Sequence, residues 1–264
     1  MKVLIKIGGT LLDSAVSRQR LASEIGQAVQ GGLSTVVVHG GGKQMTRYLE
    51  QHGVESRFVN GLRVTTPEVL DAVLKVFAGA VNRELVAAFL AAGAQAVGLT
   101  GMDGLLTEAR QMSPELGFVG KPVRSDAQLL NLLMTGGYLP VVACVAGDRY
   151  GQFYNVNADQ MAVSLASAMS AEKLLFLTDV DGVWGAEKVI YPTITIDKCK
   201  KLIEQGIASG GMQAKLEAAI EALRSGVSEV VIAPGGTDGI VEKLLSANQI
   251  GTRLVAEIGV PTNG

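Results

Sequence analysis

The chain has 264 residues, of which 48% are hydrophobic, and its 23 basic residues nearly balance its 25 acidic residues. This length and apolar content predict one large domain or two closely joined lobes and exclude a largely disordered chain. The net charge of −2 excludes binding to nucleic acid through a general positive charge. Two cysteines, Cys144 and Cys199, are too few for a disulfide scaffold or a cysteine-based metal cluster, so we expect both to be reduced thiols in apolar surroundings.

No part of the sequence has the pattern of a membrane span or of a secretion signal. A span needs about 20 consecutive apolar residues, and no stretch approaches that length. The N-terminal apolar run is interrupted by Lys6 and ends at Gly8 and Gly9, without a small-residue cleavage site. We therefore expect a cytoplasmic protein without a membrane partner.

Short apolar runs alternate with helical patterns along the first half of the chain. The predicted strands are residues 3–7, 34–38, 95–99 and 138–146. The predicted helices are residues 17–30, 43–52, one or two helices within 67–92, and 125–135. The glycine and proline residues between 100 and 124 predict hairpins.

The second half continues the same alternation. A loop and then a helix are predicted from Asn155 to Met169, followed by a strand and a loop from Lys173 to Trp184. The remaining predicted elements are helices at 195–206 and 212–225, a strand at 227–233 and a helix at 238–247. Together these elements predict an α/β fold with a doubly wound, mainly parallel sheet, and the stretch 147–153 is the best candidate for a hinge between two lobes.

Lys6 lies inside the first predicted strand, two residues before Gly8 and Gly9. Burying an unpaired ammonium group is costly, so a lysine in this position needs an anion unless it reaches solvent from an edge strand. Ligands of open α/β sheets bind beyond the carboxyl ends of the strands. The pattern therefore favours a lysine that binds phosphate at the end of a central strand.

Gly40, Gly41 and Gly42 separate the second predicted strand from the next helix. Consecutive glycine N–H groups at a helix N-terminus can bind an anion, although a tight turn would also need a glycine here. The sequence contains neither G-x-x-x-x-G-K-[ST] nor G-x-G-x-x-G, so a P-loop or a standard dinucleotide fold is disfavoured.

Asp159 and Lys215 both lie near the predicted N-terminal ends of helices. A carboxylate in the first helical turn is favourable, and Asn157 is expected to cap that helix. Lys215 opposes the helix dipole just beside an apolar stripe. An exposed lysine tolerates that position, but a lysine and a helix N-terminus that bind the same phosphate explain it better.

These features indicate phosphoryl transfer by positioning and charge neutralisation, in which two lysines and Mg²⁺ offset the charge of a nucleotide. Neither histidine, His39 or His52, is well placed as a general base. A hydroxyl acceptor normally needs such a base, whereas a carboxylate is already ionised at neutral pH. The sequence therefore favours an acyl-phosphate product.

Six segments occur in the order found in the amino acid kinase family: KIGGTLLD, VVVHGGGKQ, FVNGLRVTTPE, NVNADQMA, LTDVDGV and GGMQAKLEAA. The chain resembles this family from residue 2 to about residue 254. The pairing of NGLRVT with NVNADQ resembles the branch that uses ATP to phosphorylate the side-chain carboxylate of N-acetyl-L-glutamate in arginine biosynthesis. The resemblance implies one kinase domain, a three-layer αβα sandwich, with an acyl-substrate and dimerisation lobe (1–148) and a nucleotide-binding lobe (149–264).

The resemblance also implies a role for each matched residue. Catalytic roles fall to Lys6, Lys215, Asp159 and Gly9. The acetylglutamate site comprises Gly41, Gly42, Arg63 and Asn155. The nucleotide site comprises Gly8, Asp179, Val180, Gly182, Val183, Ile207, Ala208, Ser209 and Gly211. Asp159 would hold both lysines in place, and Arg63 would bind the α-carboxylate of the substrate. Mg²⁺ would be held by the phosphates of ATP and by water, with no protein side chain as a ligand.

Three alternatives remain open in the sequence. Trp184 either stacks near the adenine or covers the core. A sister kinase would act on carrier-linked aminoadipate or glutamate in lysine or arginine biosynthesis, although Arg63 suits a free α-carboxylate better. A catalytically inactive relative would act as a metabolite sensor, but such a protein should have lost Lys6, Asp159 or Lys215.

Assembly is also predicted from the resemblance. In members of this branch that arginine inhibits, a helix ahead of the first strand links dimers into a hexamer. Here Met1 and Lys2 run directly into that strand, which predicts a homodimer with little response to arginine. The dimer is expected to form through the first lobe, with a contribution from the alanine-rich helices within 67–92.

Overall fold

The computed structural model describes residues 1–185, 187, 189–246 and 249–257. The strands are β1 (Lys2–Ile7), β2 (Ser34–His39), β3 (Phe58–Val59), β4 (Leu62–Arg63), β5 (Ala96–Thr100), β6 (Thr107–Gln111), β7 (Val119–Ser125), β8 (Leu139–Ala143), β9 (Val145–Gly147), β10 (Phe153–Val156), β11 (Lys173–Thr178), β12 (Thr193–Thr195), β13 (Glu229–Pro234) and β14 (Thr252–Val255). The helices are α1 (Ala15–Gln30), α2 (Gly42–Gln51), α3 (Pro67–Val73), α4 (Asn82–Ala91), α5 (Gln128–Thr135), α6 (Ala158–Ala168), α7 (Ile196–Glu204), α8 (Gly210–Arg224) and α9 (Ile240–Leu245). The segment Leu74–Val81 continues α3 into α4 as a π-helix.

A sheet of eight strands forms the centre of the described molecule, in the order β12-β14-β13-β11-β1-β2-β8-β5. Its neighbouring strands are parallel except for β13 and β14. The central strands are almost entirely buried apolar runs, as expected for parallel strands that are covered on both faces. The expected α/β class with a mainly parallel sheet is therefore confirmed.

Helices cover both faces of this sheet. The connection from β1 through α1 to β2 and the connection from β8 through α6 to β11 run in opposite directions across the sheet. Because such crossovers are right-handed, α1 and α6 lie on opposite faces. The helix contacts agree, since α1 packs against α4 and α9, whereas α6 packs against α8.

The predicted strand 138–146 is wrong in one respect, because the chain leaves the main sheet at Cys144. Residues before Cys144 form β8 in the sheet, and those after it form β9 in a small closed barrel with β6, β7 and β10. The carbonyl of Cys144 accepts a hydrogen bond from Val156 N at 3.1 Å, which directs the chain into the barrel. The hairpin predicted within 100–124 is confirmed by the antiparallel pair β6 and β7.

The predicted hinge at 147–153 forms the turn between β9 and β10. These two strands pair in antiparallel fashion, and β10 also pairs with β7. Backbone hydrogen bonds therefore connect residues on the two sides of the boundary at 148, and the division into lobes remains a prediction. The helix predicted at 238–247 is observed as α9, and its last residue, Ala247, lies outside the described residues.

The described part of the chain bears on the predicted state of the cysteines and on membrane-spanning helices. Cys144 and Cys199 are both buried and form no disulfide. No helix in these residues is both long enough and apolar enough to cross a bilayer.

Candidate active site

The candidate site lies where three neighbouring strands end. Strands β11, β1 and β2 are adjacent and parallel, so the loops that follow them meet at one edge of the sheet. These loops begin at Asp179, Gly8 and Gly40. A Cβ atom added to Gly9 would lie 3.4 Å from Gly42 N, so the two glycine segments face each other closely.

A cleft of about 600 Å³ opens at this edge. Both glycine segments line it, together with side chains of opposite charge. The basic side chains on its walls are Lys6, Lys43, Arg47, Arg63 and Lys215. The acidic side chains are Asp13 and Asp179. The excess of positive charge favours an anionic ligand.

Lys6 and Lys215 converge on a single carboxylate. Lys6 Nζ lies 2.7 Å from Asp159 Oδ1, and Lys215 Nζ lies 3.8 Å from Asp159 Oδ2. Lys6 is 8% exposed and Asp159 is 7% exposed, so the ion pair is buried. Burial alone would raise the pKa of Asp159, but the attraction and hydrogen bonds of both lysines outweigh it and lower that pKa below its usual value. Asp159 is therefore a carboxylate that holds two ammonium groups beside the cleft.

Local helix chemistry explains where Asp159 and Lys215 lie. Asn157 caps α6, and its Oδ1 accepts hydrogen bonds from Asp159 N at 2.9 Å and Gln160 N at 3.2 Å, which confirms the predicted cap. Lys215 lies on α8, which packs against α6. The N-cap residues of α2 and α8, Gly41 and Ser209, make no side-chain capping bond, so both helix N-termini keep N–H donors for a ligand.

His39 lies at the end of β2 and is fully buried. Its pKa is lowered to about 4, mainly by burial and to a smaller extent by the charge of Arg83, although the hydrogen bond to Gly40 acts in the opposite direction. Its Nδ1 lies 2.8 Å from Gly40 O and its Nε2 lies 2.9 Å from Asn82 Nδ2. A neutral imidazole with both nitrogens occupied is unsuited to act as a general base.

Arg63 reaches the cleft from a short hairpin. Strands β3 and β4 pair directly across Asn60 and Gly61, whose φ angles of 50° and 77° are those of a two-residue type I′ turn. The neighbouring residue Val64 anchors the hairpin in a small apolar cluster with Leu116 and Val119. This packing fixes the strand that carries the guanidinium group.

The guanidinium of Arg63 is held among polar groups of α2 and the hairpin. Its Nη2 donates to Thr46 Oγ1 at 2.8 Å and to Gly42 O at 3.3 Å, and its Nη1 donates to Ser56 Oγ. The guanidinium carbon lies 4.6 Å from the centre of the Phe58 ring. Burial lowers the pKa of Arg63, but an arginine remains charged at any physiological pH. The cleft therefore contains an oriented positive group in addition to the two lysines.

Asn155 is connected to Arg63 through one side chain. Its Nδ2 donates to Thr65 Oγ1 at 3.1 Å, and the Thr65 hydroxyl donates to Arg63 O at 2.9 Å. Asn155 lies on β10, so this link joins the small barrel to the hairpin. The structure thus brings these two predicted substrate residues into one network.

Comparisons with known proteins show which family the chain belongs to. The profile of the amino acid kinase family matches residues 1–234. The chain belongs to the amino acid kinase family. It is 59% identical over 255 residues to an acetylglutamate kinase of Solibacter usitatus (strain Ellin6076), an alignment that covers 97% of this chain and 99% of that protein. It is 42% identical over 259 residues to an acetylglutamate kinase of Acidobacterium capsulatum, with 97% and 100% covered.

A solved structure gives the same result for the fold. N-acetylglutamate synthase of Neisseria gonorrhoeae, in complex with coenzyme A and N-acetyl-glutamate, matches with a TM-score of 0.87 and 26% identity. The match covers 98% of this chain and 60% of that protein. The three-layer fold expected for an amino acid kinase is therefore confirmed.

The residues predicted to bind nucleotide are only partly gathered at the cleft. Gly8 and Asp179 line it. Gly211 lines a neighbouring cavity of about 440 Å³ that is also bounded by Asp159 and Lys215. The others lie in two segments, the loop after β11 with Val180, Gly182 and Val183, and the approach to α8 with Ile207, Ala208 and Ser209.

Details of the loop after β11 limit what its residues can do. Val183 is fully buried, and its N–H donates to Thr252 Oγ1 at 2.8 Å. Gly182 has a φ of +151°, and a Cβ there would lie 2.8 Å from Thr252 Oγ1, so only glycine fits. Trp184 is 45% exposed, which is compatible with either of its predicted roles.

Several residues of the cleft were not predicted from the sequence. Lys43 and Arg47 lie on one face of α2, four residues apart, and Thr46 lies beside them. Arg47 Nη2 lies 2.5 Å from Asp13 Oδ1 across the cleft mouth. The position of Lys43 directly after the three glycines was the available signal in this amino acid kinase.

Proposed function

We propose that this protein transfers the γ-phosphoryl group of ATP to the side-chain carboxylate of N-acetyl-L-glutamate. The products are N-acetyl-L-glutamyl 5-phosphate and ADP, which is the second step of arginine biosynthesis. The observation that carries the proposal is the pair of lysines on Asp159 beside two facing glycine segments. The relatives named above support the choice of substrate, because both are acetylglutamate kinases.

In this proposal the cleft stabilises the charge that moves with the phosphoryl group. Phosphoryl transfer needs little covalent chemistry from a protein, and catalysis rests on positioning and charge neutralisation. Lys6 and Lys215 neutralise the phosphoryl oxygens, and Asp159 keeps their ammonium groups fixed. The N–H groups of Gly9 and Gly42 donate hydrogen bonds to the same oxygens. These roles agree with the buried ion pair and the close approach of the two glycine segments.

The acceptor needs no general base. One oxygen of the substrate carboxylate attacks the γ-phosphorus, and the bond from that phosphorus to the bridging oxygen of ADP breaks. No proton moves in this step, because the carboxylate is ionised at neutral pH. The neutral and fully engaged imidazole of His39 is consistent with a reaction that uses no histidine base.

The substrates bind on different parts of the chain in this proposal. Acetylglutamate binds on the first lobe (1–148), where Arg63 pairs with its α-carboxylate and Asn155 supports it from the second. ATP binds mainly on the second lobe (149–264), through the loop from Asp179 to Val183 and the segment from Ile207 to Gly211, and Gly8 contacts it from the first lobe. The reaction is expected in the cytoplasm, where ATP is available.

Mg²⁺ is expected to arrive with ATP. The described residues contain no group of three or more His, Cys, Asp or Glu side chains that could hold a metal ion. Asp13 is paired with Arg47, and Asp179 accepts a hydrogen bond from Thr178 Oγ1 at 3.1 Å. Mg²⁺ commonly keeps several waters and binds substrate phosphates with few carboxylates. The donors present therefore fit an ion that the nucleotide carries and that neutralises part of its charge.

The decisive experiment detects the product itself. Purified protein is incubated with ATP, Mg²⁺ and acetylglutamate, ADP release is followed in a coupled assay, and hydroxylamine traps the acyl phosphate as a hydroxamate. We expect ADP and hydroxamate to form in equal amounts, and only with acetylglutamate present. ADP without hydroxamate would exclude a carboxylate acceptor. Efficient turnover only of carrier-linked aminoadipate would favour the sister kinase.

Substrate choice is tested at Arg63. Loss of a charge-assisted bidentate bond is worth about 1.5–3 kcal/mol. We therefore expect Arg63→Ala to raise KM for acetylglutamate about ten- to hundredfold and to leave KM for ATP almost unchanged. Steady-state kinetics with each substrate varied in turn measures both constants.

Arg57 provides the matched control for Arg63. It directly precedes strand β3 of the same hairpin, but it is exposed and does not line the cleft. Arg57→Ala should leave both KM values unchanged. An equal loss in the two variants, or equal turnover of glutamate and acetylglutamate by the unmodified protein, would contradict the assignment of Arg63.

The homodimer is also a proposal, and it concerns the helical region 67–91. Ala80, Ala87 and Leu90 are exposed on this region, and Leu90 is 49% exposed. Strand β5, which α4 contacts, is the edge of the sheet in the described residues. Exposed apolar side chains on a helix beside an open sheet edge suit a two-fold interface. Light scattering after gel filtration should give a dimer, and Leu90→Glu should give a monomer; a hexamer would overturn the proposal.

A further inference from the structure

A buried chain of hydrogen bonds connects α4 to the glycine segment after β2. The Arg83 guanidinium donates to Asn82 Oδ1 at 2.5 Å, and Asn82 Nδ2 lies 2.9 Å from His39 Nε2. The other ring nitrogen, Nδ1, lies 2.8 Å from Gly40 O. Asn82 Nδ2 also donates to Val141 O at 2.9 Å, which fixes the amide between two strands. His39 and Asn82 are fully buried.

The direction of each bond follows from the donors available. The amide group of Asn82 donates through Nδ2, so His39 Nε2 is the acceptor and carries no proton. The proton of the neutral imidazole is then on Nδ1, which donates to Gly40 O. Burial of the ring favours this neutral form. The hydrogen-bond chain therefore ends at the Nδ1–H of His39, which holds the backbone carbonyl of Gly40.

Holding this carbonyl determines where the next N–H points. The carbonyl of Gly40 and the N–H of Gly41 belong to one planar trans peptide, so they point in opposite directions. Gly41 is buried, and among the described residues its N–H has no hydrogen-bond acceptor. A buried backbone donor without a partner is costly unless a ligand satisfies it.

Two glycines show that the fold keeps space for this arrangement. A Cβ at Gly98, on β5, would lie 2.1 Å from Asn82 Oδ1 and 2.2 Å from Arg83 Nη2. A Cβ at Gly41 would lie 2.9 Å from Phe77 Cδ1 and 3.2 Å from Val81 Cγ2, in the π-helical segment. Either side chain would displace the hydrogen-bond chain or the loop that it holds.

We infer that His39 and Asn82 are positioning residues, which hold the Gly40 carbonyl so that the Gly41 N–H donates to the transferred phosphoryl group. The inference rests on the proposed function, because it assigns this donor to phosphoryl transfer. Neither side chain touches a substrate. Their contribution is to set the angle of one peptide before the substrates bind, which avoids reorganisation during the reaction.

The test separates the two bonds that His39 makes. His39→Asn keeps a donor near the position of Nδ1, whereas His39→Gln keeps a polar group near the position of Nε2 and loses the donor to Gly40. We expect His39→Gln to lower kcat by about tenfold or more, with KM for both substrates changed less than about threefold. His39→Asn should retain most of the kcat of the unmodified protein, although both variants should have a lower Tm.

Two further variants keep the inference falsifiable if the buried substitutions reduce stability. Gly98→Ala perturbs Asn82 from the far edge of the sheet and should lower kcat without raising either KM. Phe89→Leu removes buried volume from α4 but alters no member of the hydrogen-bond chain, so it should lower Tm only. The affinity for ADP with aluminium fluoride and acetylglutamate should fall in parallel with kcat, whereas the affinity for ADP alone should not.

Equal kcat values for His39→Asn and His39→Gln would overturn the inference. So would variants of His39 and Gly98 that, like Phe89→Leu, change Tm alone. Failure of the proposed function is distinguishable, because the unmodified protein would then form no hydroxamate from acetylglutamate.

Discussion

Lys6→Ala and Lys215→Ala are each expected to lower kcat by roughly 10²–10³-fold, the scale seen when a preorganised electrostatic stabiliser is lost. Each ammonium group lies beside the cleft and is oriented by the same carboxylate. If both lysines act on one phosphoryl group, as proposed, the double variant should lose less activity than the product of the single losses. Steady-state kinetics, with circular dichroism to verify folding, measures these effects.

Lys173 supplies the matched control for this prediction. It also forms an ion pair with a carboxylate, Glu229 at 3.0 Å, but it lies at the amino end of β11, away from the cleft. Lys173→Ala should leave kcat unchanged. A normal kcat in Lys6→Ala or Lys215→Ala would remove that lysine from the proposed mechanism.

The central sheet could be predicted because its signal is local. Strands β1, β2 and β11 are short, mainly apolar runs, each followed by glycine or aspartate, and parallel strands covered on both faces have this pattern. The strand 138–146 has a similar apolar pattern and nevertheless divides at Cys144. The division depends on the pairing of Val145 with Asn155 of β10 in the barrel, and hydropathy does not record which sheet a strand joins.

Part of the candidate site could be predicted because some of its residues do not fit their local sequence pattern. Lys6 is conspicuous because a charge inside an apolar strand contradicts its surroundings, and contradictions of this kind mark functional positions. Lys43 and Arg47 are polar residues on a partly exposed helix, so nothing local separates them from ordinary surface charges. The hairpin of Arg63 was detectable, since Asn60-Gly61 between short apolar pairs is a strong turn signal.

The hydrogen-bond chain to Gly40 lies beyond what local patterns can predict. His39 and Asn82 are 43 residues apart in the sequence and meet only because α4 packs beside the sheet. Asparagine at the start of a helix is ordinary, and a histidine at a strand end has several common explanations. Only their burial and mutual geometry distinguish a positioning pair from separate polar residues.

Asp159→Asn is expected to lower kcat by roughly 10²-fold while changing either KM much less, because the two lysines lose the charge that fixes them. Removing one partner of a buried ion pair also costs about 3–5 kcal/mol of stability, so the free energy of unfolding should fall. Bound ATP should restore more stability to this variant than to the unmodified protein, because its phosphates supply the missing negative charge. Steady-state kinetics and thermal unfolding with and without ATP measure both effects.

Glu229 tests whether such losses follow simply from removing a paired carboxylate. Like Asp159, it is paired with two cations: its Oε1 lies 3.0 Å from Lys173 Nζ and 2.7 Å from Arg253 Nη1, away from the cleft. Glu229→Gln should lower the free energy of unfolding, leave kcat unchanged and gain no extra stability from ATP. If Asp159→Asn behaves in the same way, with reduced stability and normal turnover, then Asp159 only stabilises the N-terminus of α6, and the lysines do not depend on it for catalysis.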